Sequence, residues 1–225
     1  RSRAFTLPQL RQRSRAFTLV ELLVVIGIIA VLLAALVPAV TSLSKSKGRK
    51  GALGNLATVI EQGRALALAD SRNTYIAFAT IIQNAGTSVT DEYSYRSYAV
   101  FEDDAAGIPH NVQVTKWQKL PRGISFRSQN EPSGAGTSLT SNSNPSTAAF
   151  IFSPTAGTIT CPYLQFDPLG SVAEPTSAAP MRLVIFEGSV NAGTETPTAR
   201  DSSQQPVRDE ISVGRYNGRA QYVAQ

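Results

Sequence analysis

From Leu22 to Val37 the chain carries no charged or strongly polar side chain, and the wider stretch 16–40 (AFTLVELLVVIGIIAVLLAALVPAV) holds one carboxylate, Glu21, near its start. As a helix, Phe17–Val40 is long enough to cross a hydrocarbon core of about 30 Å. A carboxylate inside such a core costs roughly 2.5–3.5 kcal/mol on insertion scales, so Glu21 calls for a partner.

The pattern changes after Val40. Over 41–72 the apolar residues Leu43, Leu53, Leu56, Ile60 and Ala67 recur on one helical face, with Lys, Arg and Glu elsewhere, which predicts an amphipathic continuation of the same helix. Gly48, Gly51 and Gly54 lie inside it; each costs about 1 kcal/mol against Ala, so a bend or a melted turn is expected there. Asp70-Ser71-Arg72-Asn73 reads as the end of the helix.

Beyond Asn73 the period shortens to that of strands. Thr74–Ile82 is rich in β-branched and aromatic residues. Tyr93, Tyr95 and Ala99 alternate with Ser94, Arg96 and Ser97. Val112–Trp117, Gly123–Arg127, Phe150–Phe152, Ile159–Cys161, Tyr163–Phe166, Arg182–Phe186 and Ile211–Val213 follow, separated by turns such as Asp103–Gly107, Asp167–Gly170 and Asn217-Gly218. Ser128–Ala148 and Gly188–Pro206 are polar and Gly-, Ser- and Pro-rich, and are expected to be long surface loops. The sum is an α+β chain in which a long N-terminal helix packs on an antiparallel β-sheet head spanning 73–225.

The start of the apolar run carries a motif. Arg11, Arg13 and Arg15 precede Ala16-Phe17-Thr18-Leu19-Val20-Glu21-Leu22-Leu23, which resembles the cleavage and methylation signal of type IV prepilins and type II secretion pseudopilins. That resemblance implies a basic leader over 1–16, a cut by prepilin peptidase between Ala16 and Phe17, and N-methylation of the Phe17 amine. It implies that 17–40 is a transmembrane helix, with the leader inside and the head periplasmic. Glu21 becomes the assembly residue that meets the N-terminal amine of a neighbouring subunit, and Pro38 the site of a kink. Ala16 stands where Gly is commonest. Two other readings stay open: a secretory signal cleaved after Val37-Pro38-Ala39, and a plain single-span anchor.

Charge refines this picture. The net charge of +5 first suggests nucleic acid, but the five arginines of the leader leave sixteen of the 21 basic residues against sixteen acids, so the processed chain is formally neutral and no nucleic-acid partner is predicted. A local basic group, Lys45, Lys47, Arg49 and Lys50, follows the apolar run. RSRAFTL occurs at 1–7 and again at 13–19, and only the second copy leads into Glu21 and an apolar helix.

Candidate chemistry is sparse. Cys161 is the one cysteine and His110 the one histidine, so no intramolecular disulfide is possible and neither residue sits in a metal-ligand spacing. His110 reads as a loop histidine and Cys161 as a small buried hydrophobe. Asp103-Asp104 beside Gly107 lacks the spacing of a calcium loop and reads as an acidic turn. Neither catalysis nor a cofactor or metal is expected. Gly27, Ala30 and Ala34 form a stripe of small residues along which another helix could approach.

A second resemblance covers the C-terminal half. Phe166-Asp167-Pro168-Leu169-Gly170, then Leu183–Phe186, then Ile211–Val213 with Gly218-Arg219, is similar to the ending of H-type minor pseudopilins and fimbrial T proteins. Tyr95–Tyr98 through Trp117–Pro121 also resembles prepilin-like proteins of verrucomicrobial cassettes. The function implied is a structural, minor pseudopilin-like filament subunit in the bacterial inner membrane. The alternative is a pilus-tip adhesin or DNA-uptake subunit whose exposed loops contact a ligand.

Overall fold

The computed structural model describes residues 19–80, 93–128, 137–140, 146–153, 157–176, 180–191 and 193–223, the side chains of 34–47, 137 and 153 excepted. The chain divides into two compact units, Arg1–Ser44 and Lys45–Gln225. One helix, α1 (Leu19–Asp70), contributes to both.

In the second unit the predicted face of α1 is the buried one. Leu53, Leu56, Ile60 and Ala67 are buried, joined by Ala52 and Val59. Leu43 lies outside the described side chains. No turn melts at Gly48, Gly51 or Gly54: α1 is continuous through all three. The packing of the flanking face offsets their propensity cost, as it does for most helices in folded domains. The glycine that the packing requires is Gly63, where an added Cβ would come within 3.2–3.3 Å of Ile76 and 3.6 Å of Phe166.

The head is built from two largely antiparallel sheets. The first has the order β3 (Val112–Gln113), β2 (Ser97–Glu102), β1 (Thr74–Phe78), β8 (Gly157–Phe166), β7 (Thr147–Ser153), with β4 (Gln118–Lys119) beside β2 and β9 (Val172–Glu174) beside β8. The second has the order β11 (Thr194–Pro197), β10 (Met181–Asn191), β12 (Arg208–Val213), β13 (Ala220–Val223), with β5 (Ile124–Phe126) and β6 (Thr137–Ser138) beside β10. The β6 pairing is parallel. Described strands and helix thus give the expected α+β architecture.

Several strands differ from their sequence patterns for identifiable reasons. β1 ends at Phe78, and Ile81 and Ile82 lie outside the described residues. The aromatic alternation begins before its strand: Tyr93–Arg96 form a turn in which Tyr95 has φ +53°, and β2 starts at Ser97. β1 and β2 are buried at every position because the first sheet has a core on each face. Ile76, Phe78, Tyr98 and Val100 belong to the core that includes α1, whereas Tyr75, Ala77, Ala99 and Phe101 belong to a second cluster with Phe150 and Ile159. The two strands expected around Pro162 are one strand, β8, that changes partner there. Its last pair with β7 is Thr147↔Pro162 and its first with β1 is Ala77↔Tyr163. A proline is tolerated at such a junction because its missing N–H falls where one ladder stops.

Both supposed long loops contain structure. Within 128–148, β6 pairs with β10, and Leu139 is fully buried in the main core. Within 188–206, β10 runs on to Asn191 and turns back as β11, with Glu195 opposite Val190. Glu195 also accepts from the Ser128 backbone at 2.9 Å and lies 3.7 Å from the Arg127 guanidinium. Composition alone does not show the ties of Glu195 to Arg127 and Ser128, which are made across more than sixty residues.

Candidate assembly segment and the head that follows it

Two of the predicted processing residues, Ala16 and Phe17, lie outside the described residues. Glu21 lies in the first turn of α1 and is exposed. A carboxylate in a first turn faces the positive end of the helix dipole, a favourable placement. From Leu22 to Leu33 every residue is apolar and every described side chain is exposed, for example Leu22 at 60 %, Ile26 at 57 % and Val31 at 70 %. A helix that is apolar all round has no rotation that hides its surface from water; such helices are covered by lipid or by other helices. Among the described residues, no helix is long and apolar enough to cross a membrane. Those described side chains end at Leu33, and the rest of the apolar run, 34–40, lies outside them.

An added Cβ at Gly27 would meet nothing within 4 Å, so no contact inside the protomer requires glycine there. The side chains of Ala34 and Pro38 lie outside the described ones, although the backbone of α1 is helical through both.

The basic group after the apolar run is partly absorbed by the head. The Arg49 guanidinium lies 3.4 Å from Glu187 on β10 and bonds to Asp209 on β12. Arg49 and Asp209 line a cleft of about 420 Å³ with Pro206, Arg208 and Val223. Lys50 is exposed.

The residues of the C-terminal resemblance, distant in sequence, converge. Asp167 closes its turn by accepting from the backbone N–H groups of Leu169 and Ser171, both at 2.9 Å. Gly170 has φ +75° and would, with a Cβ, press on Leu68 of α1 at 3.1–3.2 Å. In the turn after β12, Gly218 has φ +62°, and a Cβ there would strike the Gly170 carbonyl oxygen, Arg64 at 2.9 Å and Phe166 at 3.0 Å. The Val172 N–H donates to the Arg215 carbonyl at 2.8 Å, tying the two turns together. Phe166, Gly170 and Gly218 therefore form one packing unit against α1. The edge strand β13 is tied to the same helix: the Ala220 N–H donates to Glu61 at 3.0 Å.

The remaining candidates are structural in their surroundings. Asp104 is consumed by its own loop: it accepts from the Ala106 and Ile108 N–H groups and from the Asn111 amide, all at 2.8 Å. The Ile108 backbone bond, then Asn111, hold its carboxyl below the ordinary value. Asp103 accepts from the Asn73 amide at 2.7 Å and the His110 N–H at 3.1 Å. His110 packs edge-on to Tyr75 at 5.4 Å and against Phe150 at 4.8 Å; burial lowers its imidazole while Asp103 pulls the other way. Cys161 is fully buried, and burial pushes its thiol up. Tyr95 and Tyr98 are buried, and the Tyr93 ring is met by Phe152 at 5.1 Å and by the Lys119 ammonium at 3.9 Å. Among the described residues, no group of three His, Cys, Asp or Glu could hold a metal ion. Sequence reasoning missed the Arg49 pairing and the Glu61 bond; both join α1 to strands far along the chain and leave no local signal.

Comparison with known proteins supplies two findings. Residues 11–37 match the family described as the prokaryotic N-terminal methylation motif. A crystal structure of the type IV minor pilin FimU of Pseudomonas aeruginosa (strain PAO1) aligns with 81 % of this chain and 92 % of that one, at 11 % sequence identity and a TM-score of 0.40. Among curated proteins, none matches the chain.

Proposed function

We propose that this chain is a structural, minor pseudopilin-like subunit of a type II secretion or type IV pilus-like filament. The observation that carries the reading is a conjunction. The methylation motif matched over 11–37 overlaps the first stretch of α1, where the described apolar residues 22–33 are exposed on all sides, with one acid, Glu21, in the first turn.

In this reading prepilin peptidase cuts between Ala16 and Phe17 and methylates the Phe17 amine. The leader and its five arginines are removed, which leaves a formally neutral chain. Phe17–Val40 holds the protein in the bacterial inner membrane, with the head on the periplasmic side and Pro38 bending the helix. Assembly then moves the apolar surface from lipid to neighbouring helices. Little hydrophobic energy distinguishes those two environments, so close packing and polar pairs decide which neighbour is chosen. Glu21 pairs with the terminal amine of an adjacent subunit. Two opposite charges in low dielectric offset their desolvation only when well aligned, so the pair acts on axial register more than on gross stability.

Glu21→Leu tests the role of the acid. It removes a charge from an apolar segment, so membrane insertion is retained, while incorporation into filaments is lost. Normal incorporation of the Glu21→Leu protein into sheared filaments overturns the pairing.

A further inference from the structure

β7 (Thr147–Ser153) ends the first sheet and pairs on one side with β8. Just before the strand, the Tyr163 N–H donates to the Ser146 carbonyl at 3.3 Å. Bonded and non-bonded residue pairs alternate along an antiparallel ladder. Counted from Ser146 and Tyr163, the bonded pairs are Ala148 with Cys161 and Phe150 with Ile159. The N–H and C=O groups of Thr147, Ala149 and Ile151 therefore point away from β8. Two observations agree with this parity. Pro162, which has no N–H to give, stands opposite Thr147 and not at a bonded pair. The Ile151 carbonyl accepts from the Trp117 indole N–H at 3.0 Å, a partner outside the ladder. Trp117 caps that end of the edge. Among the described residues nothing pairs with the outward groups of Thr147 and Ala149, and both residues are exposed.

An open edge is ordinarily blunted by short length, charge, proline or a covering group. The strands that end the described sheets elsewhere are blunted in these ways. β3 has only two residues. β11 carries Glu195 and ends in Pro197. β13 has its Ala220 N–H taken by Glu61 of α1. β7 differs: its seven residues, TAAFIFS, include no charge and no proline. The Trp117 cap and a bulge between Ile151 and Ser153 confine the opening to Thr147–Ala149.

We propose that this edge pairs antiparallel with the same edge of a second copy of the chain. The opening is its own complement. With Thr147 of one copy opposite Ala149 of the other, two bonded pairs form, related by a two-fold axis, and each exchanges N–H and C=O groups. No like charges meet across the seam, and the side chains brought together, Thr147 and Ala149, are small. On β8, Thr160 beside Ala149 and Thr158 beside Ile151 are exposed and uncharged, so the neighbouring strand adds no repulsion. A strand of another protein would have to supply the same uncharged pattern; a second copy supplies it by symmetry. The seam is short, so association rises with concentration, and it closes as a dimer. The pairing does not depend on the filament reading.

The test is cysteine cross-linking of the full chain in detergent micelles. Cys161, the one native cysteine, is fully buried, so an added surface thiol is the one that reacts. In the proposed register the two Ala149 residues lie diagonally across the seam, about 7–8 Å apart. The two Thr160 residues, one strand further in on each side, lie about 14 Å apart. A bismaleimide that reaches about 10 Å is expected to link Ala149→Cys into dimers and to leave Thr160→Cys unlinked. Thr147→Pro, added to the Ala149→Cys chain, removes an outward donor and leaves the bonds to β8 in place, and is expected to abolish the cross-link. Equal linking at both positions, no linking at Ala149→Cys, or linking that survives Thr147→Pro overturns the pairing. If a variant fails to fold, amide hydrogen exchange of the wild type decides. Protection of the Thr147 and Ala149 amides that rises with protein concentration supports the pairing, and fast exchange at every concentration overturns it.

Discussion

Leu19–Leu33 and Ala52–Ala67 are stretches of one helix with opposite relations to water. In the second, the apolar residues recur every three or four positions and are buried: Leu56 and Ile60 are 1 % exposed and Ala67 is fully buried. In the first, the apolar residues surround the axis, and even the most covered large one, Val25, is 45 % exposed. At about 25 cal/mol per Å² of apolar surface, the head settles its part of the helix within the protomer. The first stretch leaves the same kind of free energy unclaimed until lipid or another helix covers it. Burial in the head is thus a matter of folding, whereas folding of the protomer leaves the described side chains of the first stretch exposed.

The largest effect should come from cutting the same residue type in both stretches. Ile60→Ala removes a buried side chain from the main core and is expected to cost roughly 2–5 kcal/mol in chemical unfolding of the head. Ile26→Ala should leave that unfolding curve unchanged; an equal loss would erase the distinction between the stretches. Next, Gly218→Ala forces a left-handed backbone and a Cβ into the Gly170 carbonyl, Arg64 and Phe166. A loss of roughly 2–4 kcal/mol is expected, and a neutral result would mean that the turn does not pack on α1 as described. The smallest effect has the opposite sign. Gly51 is exposed, and a Cβ there would meet nothing within 4 Å, so Gly51→Ala should stabilise the head by about 0.5–1 kcal/mol.

How much of this was legible follows the same divide. The apolar run, Glu21 and the motif around Ala16 and Phe17 are local, so they can be read directly. The buried face of α1 was legible at Leu53, Leu56, Ile60 and Ala67 because helical periodicity reports a helix with one dry side. The glycines were only partly legible: propensity registers the cost of Gly48, Gly51 and Gly54, where no turn melts, but only tertiary approach shows how closely Ile76 and Phe166 press on Gly63. β11 and β13 were missed because Thr194–Pro197 and Ala220–Val223 are short and largely polar and exist by pairing with β10 and β12. The motif of Phe166, Gly170 and Gly218 could be read as a pattern, but its cause, two turns locked on α1, is visible only in three dimensions.

The central claim is that the apolar stretch begins a processed chain that assembles through it. Mass spectrometry of the N-terminal peptide of the protein, purified from the cells that produce it naturally, tests this most directly. The account predicts a chain that begins at Phe17 with a methylated amine. A chain that begins at Val40, or one that retains Ala16 and the leader, would contradict it.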